Sequence, residues 1–146
     1  MDFSNSDFEN MHWHDNALHA FRVVESEESG GDLVLDIDYI AEWIPPVENA
    51  FSFKVAPSDL TFHDVCDLII SIDYASASAA VQPMTIHEIH REVVTYPNGH
   101  SSFVWKVEIN WPPNSFISFS SSGYTQVSRM EPVTTGAQYL SPSERK

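Results

Sequence analysis

Basic residues are scarce in this chain: seven Lys and Arg stand against 21 Asp and Glu in 146 residues, a formal net charge of −14. Nucleic-acid phosphates and anionic lipid headgroups repel such a surface, which argues against DNA, RNA and membranes as partners. Cysteine is nearly absent. The single Cys66 forms no internal bridge, which fits a reducing compartment. No apolar run approaches the ~18 residues a bilayer-spanning helix needs. Met1 to Asn5 carry neither the basic nor the apolar stretch of a signal peptide. The expectation is a cytoplasmic protein. Also missing are the HExxH and paired-cysteine spacings of zinc sites and the Gly-x-Ser-x-Gly turn of α/β-hydrolases. No catalytic residue and no cofactor is therefore expected.

What the chain does have is unevenly placed acid. Residues 1–53 hold twelve carboxylates and one base, Arg22, a net −11, whereas the remaining 93 residues carry only −3. A hydrophobic content of 42% with 12% aromatics is that of a globular protein. The length suits one domain, residues 1–146, that needs no disulfide or metal to staple it. About ten residues at the N-terminus and about twelve at the C-terminus read as irregular, the latter as a frayed tail.

Period-two alternation dominates the rest. From Asp32 to Ile44 the odd positions Leu33, Leu35, Ile37, Tyr39, Ala41 and Trp43 oppose Asp32, Asp36, Asp38 and Glu42. That is an antiparallel strand with one face on a core, ended by Pro45-Pro46, which remove two ladder donors. Ala17 to Glu25 forms the strand before it, with Ser29-Gly30-Gly31 as the hairpin turn. Phe51 to Val55 alternates until Pro57 interrupts, and Leu60 to His63 and Leu68 to Tyr74 follow. The Ala75 to Ala80 tract reads as a loop. Thr85 to Tyr96 carries both a capping-box pattern and β-branched residues, and is read as a strand starting with a bulge or a helical turn near Ile86. After the Pro97-Asn98-Gly99 turn come Phe103 to Trp111, Phe116 to Ser121, and Tyr124 to Met130 beyond a bend at Gly123. Ser118 to Ser122 reads as the polar face of a strand. The fold class is all-β, a single antiparallel sandwich or curled sheet or open barrel of about eight strands. Its expected core is Leu33, Leu35, Ile37, Tyr39, Phe53, Ile70, Ile72, Trp105, Val107 and Ile109.

Two residue sets are candidates for function. Asp32, Asp36, Asp38 and Glu42 share one strand face, the geometry of a solvated acidic surface able to meet a basic partner. His12, His14 and Asp15, with His63 or His90, have the donor types of a zinc or iron site, although no spacing favours a metal.

The Met11-His12-Trp13-His14-Asp15 opening, followed by a short strand, a glycine turn and Asp32 to Ile40, resembles a group of small uncharacterised bacterial all-β proteins with a Trp-His-Asp N-terminal element. The likeness also touches Leu60 to Ile70 and Ile89 to Glu92, about two thirds of the chain. More weakly, the chain is similar to acidic immunity proteins of bacterial polymorphic-toxin systems, which bind a toxin without catalysis. The resemblance implies a non-enzymatic binding protein that neutralises a basic partner. The competing expectation is a small metal-dependent enzyme or ligand-binding β-barrel.

Overall fold

In the computed structural model, residues 1–27, 30–75, 77–79 and 81–145 are described. Among the described residues there are ten strands: β1 (Asp2–Ser4), β2 (Ala17–Val24), β3 (Asp32–Val47), β4 (Ala50–His63), β5 (Cys66–Ser71), β6 (Met84–Thr95), β7 (Ser101–Trp111), β8 (Ser115–Ser121), β9 (Gly123–Ser128) and β10 (Val133–Thr135). A 3-10 helix, Asn5–Asn10, follows β1. The order across the sheet is β1-β9-β4-β3-β2-β6-β7-β8-β5, every pair antiparallel, with β10 added to β4. The chain is all-β, and the sheet curls without closing into a barrel. Its weakest seam is β2 on β6, which pair only through Ala17 with Thr85 and Leu18 with Met84.

The two halves meeting at that seam fold over one aromatic core. Trp105 of β7 is its centre, edge-on to Phe62 of β4 at 5.0 Å and to Tyr124 of β9 at 5.8 Å. Its indole N–H donates to the Ser121 carbonyl at 3.1 Å, and that of Trp13 to Gln126 Oε1 at 2.9 Å, so neither ring buries an unmet donor. Leu33, Leu35, Ile37, Tyr39, Trp105, Val107 and Ile109 are buried there as expected, while Ile70 and Ile72 are only partly buried against the same core. Phe53 is buried elsewhere. With Ile40, Val55 and Leu140 it forms a second cluster.

The reason lies in β4, which alternates without a break from Phe53 to Phe62, so Phe53 and Val55 face away from Leu60 and Phe62. Across from them β3 carries a register shift between Ile40 and Glu42, where Ala41 is left without a partner. One extra residue inverts the side-chain phase of everything beyond it. Trp43, placed by simple alternation on the core face, instead stands opposite Phe53, its ring 4.9 Å away and half exposed. Nor does Pro45-Pro46 end the strand. β3 runs on to Val47, the two prolines sitting in a second irregularity between Ile44 and Val47, at an edge where missing donors cost nothing. Glu48 and Asn49, both at positive φ, then make a two-residue turn into β4. Pro57 likewise lies inside β4, where its neighbour changes from β10 to β9, and its carbonyl accepts from Arg129 N–H at 2.8 Å.

Both chain ends are better ordered than their composition promises. The 3-10 helix carries Phe8 onto Trp105, and Arg91 fastens it from β6, its guanidinium 4.2 Å from the Phe8 ring centroid and donating to the Asn5 carbonyl. At the other end residues 136–145 are irregular, as expected, but not frayed: Leu140 is fully buried. The bulge near Ile86 and the turn at Gly99, with φ of 84°, match the sequence pattern. Ser120 and Ser121 depart from it. Both are buried, and Ser121 Oγ donates to the His63 carbonyl at the corner where β8 becomes β9. Of the expected hairpin turn, Ser29 lies outside the described residues, as do Ser76 and Ala80 of the expected loop. No helix among the described residues is long and apolar enough to cross a membrane.

Candidate functional site

The four β3 carboxylates do not form one open face. Asp32, at the start of the strand, is partly buried with His63 Nδ1 at 3.6 Å. Glu42, beyond the bulge, is exposed and 3.5 Å from Lys54. Between them Asp36 and Asp38 are claimed by the chain itself. Arg145 lays its guanidinium across both, Nη2 at 2.6 Å from Asp36 Oδ1 and Nε at 2.9 Å from Asp38 Oδ1. Arg129 donates to Asp36 at 2.7 Å and to Asp59 on the neighbouring strand. The other oxygen of Asp38 accepts from His19 Nε2 and from the Leu140 backbone N–H, each at 2.8 Å. Asp38 is completely buried, so the solvated-face expectation fails for it.

Burial pushes the Asp36 carboxyl upward, but the hydrogen bonds and charges of Arg145 and Arg129 outweigh it and leave the group below its ordinary value. Asp38 follows the same logic: burial raises it, and His19, the Leu140 N–H and Arg145 bring it below normal. For Arg145 burial works against the charge, and the two carboxylates hold its pKa above the usual arginine value. This cluster is therefore a clasp, with Asp36, Asp38 and Arg145 charged at neutral pH, that pins the C-terminal segment to the back of β3. Sequence inspection missed Arg145, Arg129 and His19. The arginines lie 107 and 93 residues from the carboxylates they meet, and no local pattern marks them. His19 carried a signal, since it sits on the strand that must pair with β3.

The histidines separate. His12 and His14 border a cleft of about 370 Å³ with His87 and Glu88, floored by Phe8 and Ile89. The His14 Nδ1–H donates to the His87 carbonyl at 2.9 Å, and Nε2 lies 3.6 Å from Asp15. His63 instead meets Thr125 Oγ1 at 3.0 Å, and His90 meets Glu108 at 2.9 Å, each in its own place. Among the described residues no three His, Cys, Asp or Glu side chains gather closely enough to hold a metal ion, so His12, His14 and Asp15 do not converge as a ligand set. Cys66 is exposed, with Asp67 as its nearest polar partner at 3.9 Å. His19 is different in kind. Oriented by buried Asp38, it forms one wall of a second cleft of about 300 Å³, with Tyr74 and Tyr139 nearby.

A set of exposed carboxylates lies at one end of the sheet. The chain leaving β2 and the corner after β4 are tied together by the Val65 N–H, which donates to the Gly31 carbonyl at 2.9 Å. That contact gathers the exposed Glu25, Glu27, Asp64 and Asp67 around partly buried Asp32, and no Lys or Arg lies in residues 23–32 or 63–67.

No protein-family model and no curated protein matches the chain.

Two sets of acidic residues are thus different in kind. Asp36, Asp38 and Asp59 are neutralised by the chain's own arginines. Glu25, Glu27, Asp64 and Asp67, at the β2–β3 and β4–β5 ends, are exposed.

Proposed function

We propose that this chain is a non-enzymatic acidic binding protein of the cytoplasm, immunity-like in that it occupies a basic protein partner. One observation carries the reading: Glu25, Glu27, Asp64 and Asp67 are exposed together at one end of the sheet with no Lys or Arg in the segments that present them. Such a field speeds encounter with a positively charged surface and discourages wrong partners. Asp36 and Asp38, the first choice from the sequence, contribute to the fold instead of the contact.

The test is affinity capture with immobilised protein, then association kinetics against the purified captured protein at low and high salt. Converting Glu25, Glu27, Asp64 and Asp67 to Lys is expected to slow association at least tenfold at low salt and to flatten its salt dependence, with little change in dissociation. Association that ignores both salt and the four substitutions would remove the acidic end from the mechanism.

A further inference from the structure

β2 begins opposite Asp38, so beyond that point β3 loses its second neighbour, and Glu42 to Val47 pair only with β4 among the described residues. β10 covers the other edge of the hairpin no further than Phe53. The tip, residues 41–52, therefore projects from the sheet as a two-stranded arm. It bears three large apolar side chains in water: Trp43, Val47 and Phe51, exposed by 51%, 72% and 60%. Burying side chains of this size is worth about 1.5–3 kcal/mol each, so leaving three together on one arm is a standing cost. Trp43 is also held in place. Its ring packs edge-on against the buried Phe53, and the adjacent prolines stiffen the strand that carries it. A fixed, half-exposed tryptophan is the residue type that most often dominates a protein–protein contact.

We propose that this arm is an anchor that inserts its tip, with Trp43 and Phe51 on one face and Val47 on the other, into an apolar cleft of a second protein whose rim is basic. Backbone pairing does not suit the edge, because Pro45 and Pro46 supply no donors along it. A second copy does not suit it either, since each copy carries −14 and would bring Glu42 and Glu48 against their like. Glu48, exposed at the tip, and Glu42 with its partner Lys54 leave the arm net negative, which complements a basic rim. The arm lies at the opposite end of β3 from the acidic end, up to about 50 Å along the strand at roughly 3.3 Å per residue, so the inference goes beyond the proposed function and stands without it.

The test places the photo-crosslinking residue p-benzoylphenylalanine at Val47, and separately at the exposed Val93 of β6 as a control, in the full chain within the cell that encodes it. The Val47 position is expected to capture a Lys- and Arg-rich protein that the Val93 position does not. That protein, purified, then serves as the probe: Trp43→Ser and Phe51→Ser should each weaken its binding about thirtyfold, and Val93→Ser should leave it unchanged. Phe51 packs little against the rest of the chain, so its variant keeps the result readable if Trp43→Ser unfolds the arm. Cross-linking only to a second copy, no cross-link, an acidic captured protein, or unchanged affinity would each overturn the proposal. A basic partner that ignores the arm but responds to Glu25, Glu27, Asp64 and Asp67 would overturn this inference and leave the proposed function intact.

Discussion

At the scale of single residues, Asp38 sets the terms. A fully buried carboxylate is tolerable only while its oxygens are met, and here His19, the Leu140 N–H and Arg145 meet them. Removing one partner of such a group costs more than forming it returned. Arg145→Ala is expected to lower stability by about 3–5 kcal/mol, read as a shift of the urea midpoint. Arg145→Lys should recover only part of that, because an ammonium cannot fork across two carboxylates. The sign of the pH dependence follows from the depressed Asp36 and Asp38. Their contribution is complete above the ordinary aspartate value of 3.8 and is lost as pH falls below it toward the folded-state values. The stability gap between wild type and Arg145→Ala should therefore be full at neutral pH and narrow in acid. A gap that closed on the alkaline side would show that another group governs the clasp.

At the scale of elements, the C-terminal segment acts as a strap whose apolar counterpart to the clasp is Leu140, seated on Ile40, Phe53 and Val55. Leu140→Ala is expected to cost about 2–5 kcal/mol and to raise amide exchange in residues 133–145 specifically. Two glycines show how differently one added methyl group can act. A Cβ at Gly31 would lie 2.6 Å from the Val24 carbonyl oxygen, so Gly31→Ala must move backbone, at about 1–3 kcal/mol. At Gly123 it would meet the Asn5 side chain at 3.1 Å, which can yield, and the thermal midpoint should fall less. A larger fall for Gly123→Ala would invert this account. Strands were legible in the sequence because alternation is a local signal, and Leu33, Leu35 and Ile37 were placed on the right face by it. Ala41 was not legible as a bulge: nothing in its type announces an unpaired residue, yet it decides where Trp43 points. The strap was invisible for a related reason. Leu140 and Arg145 find their partners across about a hundred residues, and the segment itself has the polar, irregular composition of a tail.

At the scale of the whole molecule, a net charge of −14 opposes compaction, and the clasp, three carboxylates against two arginines, holds only −1 of it. The exposed acidic end is open to screening, whereas the Arg145 contacts, only 11% exposed on the arginine side, are much less so. Added sodium chloride at neutral pH should therefore raise the thermal midpoint; a fall would mean that screened attractions outweigh the repulsion. One further consequence follows from β1 lying on β9, with Asp2 opposite Val127. During synthesis, the hairpins β3–β4 and β6–β7 can form soon after they leave the ribosome, because their strands are adjacent in sequence. The first strand made has nowhere to go until residues 125–127 emerge, and the strand that receives it must also complete β4. The two halves of the sheet thus wait on a segment translated near the end, and long-range closure of this kind is slow. Chains stalled on the ribosome before Gly123 should leave the region around Phe3 and Phe8 open to protease, and chains released after Arg145 should not. For the greater part of its own translation, the protein exposes the aromatic residues that later make its core, and a cell producing it must shelter them until the last strands arrive.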